Sequence, residues 1–213
     1  MRIVYLNPNA TGSMTEAVVA SARMALPGAE ITGRTNHGGP PAIEGAADGA
    51  ATLPGLMRLL EAAQAESPDA VVIACFDDTG LEDLRAAADC PVLGIGQAAY
   101  HAAALLAPPF GVVTSVEASV PVIEGNLAAT GLGAASAGVR ASGLPVLTID
   151  EGGAETLDRI AEVAGTLTAA GAASIVLGCA GMSAHLPGLA ARVGVPLVDG
   201  VRASARLAAA LAG

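Results

Sequence analysis

The chain has 213 residues, enough for one large domain or two small ones, and 53% of them are hydrophobic, so it can bury a substantial core. Acidic residues outnumber basic ones 20 to 10, and no run of Lys or Arg is present to neutralise a phosphate backbone. This composition disfavours nucleic acid as a partner. The apolar stretches stop well short of the roughly 18 to 20 residues that cross a bilayer, so we expect no membrane partner and a cytoplasmic protein.

Short β-branched runs alternate with Ala-rich segments along the chain, which is the pattern of strand–helix units that feed a parallel sheet. In chain order, it predicts strands at 2–6, 29–34, 70–74, 91–94, 110–114, 136–141, 174–178 and 196–198. It predicts helices at 13–25, 47–66, 80–88, 97–106, 117–130, 153–170, 186–193 and 201–212. The expected fold class is therefore α/β.

A weak internal repeat relates the two halves of the chain. The segment Val71-Val-Ile-Ala-Cys75 matches Ile175-Val-Leu-Gly-Cys179. A proline follows each cysteine, at Pro91 and Pro196, and begins a further strand and helix. The repeat predicts two similar lobes, each with a parallel four-stranded sheet flanked by helices, related by a pseudo-two-fold axis.

The lobe boundaries follow from this repeat. We expect a first lobe at 1–95 and a second at 110–200, with helices 97–106 and 201–212 each able to pack across onto the other lobe. Functional loops of parallel sheets lie at the carboxyl ends of the strands. The symmetry would therefore bring both cysteine loops to one cleft between the lobes.

Cys75 and Cys179 are the candidate catalytic residues, because each ends a hydrophobic strand just before a loop that leads into a helix. Backbone N–H groups in such a position favour the thiolate, so we expect a lowered pKa. A single cysteine at a strand end is commonly a small core residue. Its recurrence in both halves favours function, whereas Cys90 has no counterpart and is interpreted as inert.

Two opposed groups of similar pKa suit a 1,1-proton transfer, in which one group removes a proton from carbon and the other delivers one to the opposite face. One thiolate and one thiol can serve both directions. The three cysteines do not make a disulfide framework, and the spacings of tight metal sites are missing. The chemistry requires no cofactor, and no metal is expected.

Five motifs occur in order along the chain: Asn7-Pro8-Asn9, Gly39-Pro-Pro-Ala-Ile-Glu-Gly45, Ala74-Cys-Phe-Asp-Asp-Thr-Gly-Leu81, Gly178-Cys-Ala-Gly-Met182 and Val198-Asp-Gly200. Together they resemble the hydantoin racemases of the Asp/Glu/hydantoin racemase superfamily, over essentially the whole chain. The resemblance implies a cofactor-independent enzyme with two catalytic thiols, a small-molecule substrate and a homo-oligomeric assembly. It aligns Cys75 and Cys179 with the catalytic pair and predicts substrate contacts at Asn7, Ile43, Phe76, Asp77, Thr114, Ser115, Ala180 and Gly181.

The chain departs from these racemases after the first cysteine. Where they commonly have Phe-Gly-Asp-Pro-Gly, Phe76 is followed by Asp77-Asp78-Thr79-Gly80. We expect an extra carboxylate near the cleft and include Asp78 among the substrate contacts. The related amino-acid racemases tend to place Ser, Thr or Asn after each cysteine, whereas this chain has Phe76 and Ala180. The pattern favours a neutral cyclic ureide such as a 5-substituted hydantoin or allantoin.

Other interpretations stay open from the sequence. The segment Gly94-Ile-Gly96-Gln-Ala-Ala99 spells a GxGxxA motif, which is weak support for a dinucleotide loop because it follows the fourth strand instead of the first. His37 lies in a Gly/Pro-rich loop that could reach the substrate, although a surface role is more common. An amino-acid racemase, a maleate isomerase-like enzyme and a non-catalytic two-lobed binding protein remain alternatives.

Overall fold

A computed structural model describes residues 1–212, and within it the chain forms two parallel four-stranded sheets. The strands are β1 Arg2–Asn7, β2 Glu30–Thr35, β3 Ala70–Ile73, β4 Val92–Gly94, β5 Phe110–Thr114, β6 Ser136–Ala141, β7 Ser174–Gly178 and β8 Leu197–Asp199. The α-helices are α1 Gly12–Ala25, α2 Ala46–Gln64, α3 Leu81–Ala87, α4 Ile95–Leu106, α5 Val120–Ala129, α6 Val146–Glu151, α7 Ala154–Ala169, α8 Leu186–Ala190 and α9 Gly200–Leu211.

The two sheets have the same topology. The first has strand order β2-β1-β3-β4 and the second β6-β5-β7-β8, and all the strand pairs are parallel. The predicted α/β class and the two four-stranded sheets are therefore confirmed. The inner strands β3 and β7 are buried along their whole length, as continuous apolar strands covered on both faces must be. The pseudo-two-fold axis remains a prediction from the repeat.

Helices α4 and α9 connect the two sheets. Helix α4 follows the first sheet but packs against β7 of the second, and α9 follows the second sheet but packs against α1 and β3 of the first. The Tyr5 hydroxyl on β1 is fully buried and lies 2.9 Å from Ser204 Oγ on α9. One hydrophobic cluster accordingly includes residues from both sheets, although the division at 1–95 and 110–200 stays a prediction.

Two segments differ from the sequence-based expectation. Helix 117–130 is instead a 3-10 turn, Glu117–Ser119, followed by α5. An α-helix that began at Glu117 would need an N–H from Pro121, which has none, so the regular hydrogen bonds start later. The short helix α6 was not predicted, because it begins directly after Pro145 and has too few turns for an apolar period.

No helix within residues 1–212 is long and apolar enough to cross a membrane.

Candidate active site

Cys75 and Cys179 lie at the carboxyl ends of corresponding inner strands. Cys75 follows β3 by two residues and Cys179 directly follows β7. Both thiols line one small cavity of about 30 Å³ between the two sheets. A cavity of this volume holds little more than a water molecule, so the walls lie close to the two sulfur atoms. The internal repeat thus brings the two cysteines to a shared site.

Most of the predicted site residues meet at this cavity. Its walls include eight of them: Ile43, Cys75, Phe76, Asp77, Thr114, Ser115, Cys179 and Ala180. Six further wall residues were not among the predicted contacts: Asn9, Met14, Ala74, Ser119, Val146 and Gly178. Val146 belongs to the unpredicted helix α6 and Ser119 to the 3-10 turn, so their positions had no sequence signal in the strand–helix pattern. Asn9 had one, because it lies in the Asn7-Pro8-Asn9 motif.

Asn7 lies outside the cavity wall and holds the side chain of Asn9 by a hydrogen bond. Its side-chain amide donates to Asn9 Oδ1 at 2.9 Å and to Thr15 Oγ1 at 2.9 Å, and Asn7 does not line the cavity. In contrast, Asn9 reaches the wall and donates to the Met14 sulfur at 3.4 Å. A thioether is a weak acceptor, so a substrate carbonyl could replace it with a gain in bond strength. The motif therefore orients Asn9 through Asn7.

Asp78 also lies away from the thiol cavity. Its carboxylate accepts hydrogen bonds from the backbone N–H groups of Gly96 at 2.9 Å and Gln97 at 2.7 Å, at the N-terminus of α4. Asp78 is buried and has a left-handed backbone, with φ of 51°. Burial raises the pKa of its carboxyl to about 7, against the lowering effect of these two amides. The structure thus places Asp78 as the cap of α4.

The two glycines of the GxGxxA motif make room for this cap. A Cβ atom at Gly94 would lie 1.9 Å from Asp78 Oδ1, and one at Gly96 would lie 2.3 Å from the Phe76 carbonyl oxygen. The anion-binding helix N-terminus that a dinucleotide would need is occupied by the protein's own carboxylate. The motif is therefore explained by packing within the chain.

A backbone N–H two residues further on lowers the pKa of each thiol. This group belongs to Asp77 for Cys75 and to Gly181 for Cys179. The Thr79 hydroxyl also donates to Cys75 Sγ, at 3.5 Å. Gly181 thus lies beside the thiol of Cys179 but does not line the cavity. The backbone N–H groups of Asp77 and Gly181 are the donors that the sequence predicted near each thiol.

The expectation of lowered thiol pKa values is wrong for this closed site. Burial raises the pKa of Cys179 to about 12 and that of Cys75 further, and in both cases the negative charge of Asp77 adds to the effect. The N–H groups of Asp77 and Gly181 act in the opposite direction but are outweighed by burial. Both cysteines are therefore thiols at neutral pH while the cavity is closed.

Asp77 is the charged residue among the described residues of the cavity wall. Its carboxylate accepts a hydrogen bond of 3.4 Å from the Ser119 hydroxyl, and its backbone carbonyl accepts one of 2.9 Å from the Asn126 amide. Burial raises the pKa of this carboxyl to about 6, so it is ionised at neutral pH. No Lys or Arg is found among the described residues of the cavity wall, so Asp77 gives the wall a negative charge.

His37 and Cys90 lie elsewhere. His37 is exposed in the loop after β2 and does not line the thiol cavity. Cys90 is half-buried beside β4, at the edge of the first sheet. Neither residue touches the walls around Cys75 and Cys179.

Residues 3–208 match the family described as Asp/Glu/Hydantoin racemase. The chain belongs to this racemase family. It is 41% identical to a hydantoin racemase from Rhizobium meliloti, over 100% of this chain and 89% of that protein. It is 35% identical to a hydantoin racemase from Paenarthrobacter aurescens, over 99% of this chain and 91% of that protein.

Solved structures agree with this membership. An allantoin racemase from Klebsiella pneumoniae superposes with a TM-score of 0.93 at 35% sequence identity, and the match covers 99% of this chain and 87% of that one. The resemblance drawn from the five motifs is confirmed, and the protein is an isomerase of the racemase class. Membership in an enzyme family decides against the interpretation as a non-catalytic binding protein, which the sequence had left open.

Proposed function

We propose that this racemase inverts the acidic C5 carbon of a 5-substituted hydantoin or a related cyclic ureide such as allantoin, with Cys75 and Cys179 as the two acid/base groups. The observation that supports this most directly is that both thiols line one cavity. In each case the backbone N–H of the second residue after the cysteine lowers the pKa of the thiol, so the two groups have the similar environments that a reversible transfer needs.

In the proposed mechanism, one cysteine is a thiolate and the other a thiol. The thiolate takes the proton from C5, and the electron pair of the broken C–H bond moves into the adjacent C4 carbonyl to give an enolate. The opposite thiol then delivers its proton to the other face of C5 and becomes the thiolate for the reverse direction. In this mechanism the side chains of Asn9 and Ser115, which both line the cavity, donate to ring carbonyl oxygens and stabilise the developing charge.

The cavity wall supports a neutral ring over an amino acid. None of the described wall residues is a Lys or Arg that could pair with an α-carboxylate, Phe76 and Ala180 directly follow the cysteines, and the Asp77 carboxylate would repel a substrate carboxylate. A cyclic ureide is larger than the closed cavity, so the loops around the thiols must separate for it to enter. Opening also hydrates the sulfur atoms and lowers the burial effect that opposes the thiolate.

Deuterium exchange tests this proposal. The purified protein is incubated in deuterated buffer with allantoin, several 5-substituted hydantoins and L-glutamate, and the C5 or α-proton is followed by NMR together with optical rotation. We expect exchange and loss of rotation for the cyclic ureides without any added cofactor, and none for glutamate. The Cys75→Ala/Cys179→Ala double variant measures the spontaneous rate. Exchange of glutamate alone, or of no substrate, would rule out the proposed function.

A further inference from the structure

A second cavity shares Asp77 with the cavity that holds the thiols. It has a volume of about 240 Å³, and it lies between the N-terminus of α2, where Gly45 and Gly49 form one wall, and the loop that follows Cys75. Leu53 and Val122 contribute apolar surface. Asp77 therefore lines both the small cavity that holds the thiols and this larger cavity.

The Asp77 carboxylate has unused acceptor capacity at this junction. An ionised carboxylate accepts about four hydrogen bonds. Among the described residues, the side-chain donor to it is Ser119, at a long 3.4 Å, whereas Asn126 binds the backbone carbonyl of Asp77. The guanidinium of Arg85 bonds to Glu82 and Gln97 and lines neither of the two cavities that contain Asp77. A partly buried carboxylate with so few donors is stabilised when a ligand brings N–H groups to it.

The charge of the larger cavity points the same way. Its walls carry three carboxylates, Asp77, Asp78 and Asp83, and none of the described wall residues is a Lys or Arg. The Asp78 carboxylate is already bonded to α4, and Asp83 is exposed to solvent. A ligand group with N–H donors is favoured in this space, and a ligand carboxylate is repelled.

We propose that Asp77 is a specificity-determining residue that accepts hydrogen bonds from N–H groups on the C5 substituent of the substrate. This inference rests on the proposed function, because a ring with C5 between the two thiols would direct its substituent past Asp77 into the 240 Å³ cavity. The shared chemistry is the N–H donor, carried by a neutral amide or ureido group or by a protonated amine.

A matched set of hydantoins separates this recognition from size. The substituents isobutyl, carbamoylmethyl and carboxymethyl are similar in volume but are apolar, N–H-donating and anionic, respectively. A second pair, pentyl and 4-aminobutyl, tests the protonated amine. We expect dissociation constants, measured by calorimetry, to be lowest for the carbamoylmethyl compound and highest for the carboxymethyl compound, and to be lower for aminobutyl than for pentyl.

Substitution of Asp77 assigns the preference to this side chain. In Asp77→Ala, the preference for carbamoylmethyl over isobutyl should fall about tenfold or more, as for the loss of a hydrogen bond to a charged group, and the carboxymethyl compound should bind better. Asp77→Asn keeps the shape while removing the charge and should shift the same ratios in the same direction. Ratios between substrates cancel any common effect of Asp77 on the thiols. Glu124→Gln, an exposed acid on α5, controls for net charge and should leave the ratios unchanged.

The outcomes distinguish this inference from the proposed function. Equal binding of the three matched compounds by the unaltered enzyme, or unchanged ratios in both Asp77 variants, would overturn the role of Asp77 even if C5 exchange is intact. Equal shifts in Glu124→Gln would overturn it as well, because they would show a long-range charge effect. Absence of exchange with every hydantoin would instead refute the proposed function, while the calorimetric ranking would still decide the role of Asp77.

Discussion

The loop after Cys75 and the loop after Cys179 each take part in capping a helix, but they contribute to the cap in different ways. In the first half of the chain, Asp78 of the cysteine loop caps α4, and Gly94 at the end of β4 leaves space for it. In the second half, Asp199 at the end of β8 itself caps α9 through the Val201 N–H, and the cysteine loop contributes the Ser183 hydroxyl to Asp199 at 2.6 Å. Both helices are therefore capped by an aspartate, which lies in the cysteine loop for α4 and at the end of the preceding strand for α9.

The residue two positions after each cysteine shows the functional side of this difference. Both backbone N–H groups lower the pKa of the thiol, but the first belongs to Asp77 and the second to Gly181. A Cβ at Gly181 would lie 3.2 Å from the Asp150 backbone, so the second loop has little room for a side chain. In the proposed mechanism, the proton-transfer groups are duplicated between the two loops, whereas side-chain recognition of the substrate belongs to the first loop alone.

The largest expected effect comes from removing either sulfur. Cys75→Ala and Cys179→Ala should each reduce racemisation at least about 100-fold, the scale of one general acid or base, because each direction needs both groups. Cys90→Ala is the matched control and should retain normal turnover. Polarimetry with both enantiomers measures the effect. Normal racemisation by either single-cysteine variant would contradict the two-thiol mechanism and the duplication that it assumes.

The packing of the first cap gives the next largest effect. Gly94→Ala places a methyl group 1.9 Å from Asp78 Oδ1 and should lower the free energy of unfolding by about 2 kcal/mol or more, because the carboxylate must leave α4. Gly165→Ala in α7 has open space around the new methyl group and should raise it by about 0.5 to 1 kcal/mol. Urea unfolding checks both, and a neutral Gly94→Ala would contradict the explanation of the GxGxxA motif.

The aspartate caps of α4 and α9 should contribute similar amounts to the free energy of unfolding. Asp78→Ala strands the N–H groups of Gly96 and Gln97, and Asp199→Ala strands that of Val201 together with the Ser183 hydroxyl. Each substitution should cost about 1 to 2 kcal/mol of unfolding free energy in urea titrations. A loss of unfolding free energy in only one of the two variants would show that the two carboxylates are not equivalent caps.

A smaller effect is expected in the pH profile of Asp77→Asn. After burial, the charge of Asp77 raises the pKa of both thiols, so removing it should move the rise of kcat/KM with pH to lower pH. Because the pKa of Asp77 is about 6, the carboxylate is already protonated well below that pH, and the two profiles should converge there. Asp78, Asp150 and Glu44 also act on these thiols but are common to both proteins.

5-Isobutylhydantoin is the suitable substrate for these profiles, since its substituent offers Asp77 no N–H group. Glu124→Gln removes one negative charge outside the cavity and should reproduce the unaltered profile. A profile for Asp77→Asn that moves to higher pH would show that Asp77 assists the thiolate instead of opposing it.

The fold was largely predictable because local and long-range signals agree. All eight strands occur where apolar runs predicted them, and the repeat between Val71–Cys75 and Ile175–Cys179 matched two sheets of identical strand order. Helix α6 escaped prediction because six residues are too few to show a helical period. Helix α4 begins at Ile95, two residues earlier than expected, where its first N–H groups are bound by the distant Asp78.

The candidate site was only partly predictable. The cysteine pair followed from the repeat, and the family resemblance supplied Phe76, Thr114, Ser115 and Ala180, which all line the cavity. The separate roles of Asp77 and Asp78 were not predictable, because adjacent identical residues diverge only through the left-handed backbone at Asp78. The balance between burial and N–H donation at the thiols likewise depends on how tightly the tertiary structure closes.

The exchange of α4 and α9 between the sheets bears on how the molecule unfolds. Each sheet is covered on one face by a helix from the other half of the chain, and Tyr5 on β1 is buried against α9. Loss of α9 would expose the inner face of the first sheet, so neither half retains a complete core without the other. The chain should therefore melt in one cooperative transition despite its two sheets, so the cavity that the two thiols share depends on both halves of the chain being folded.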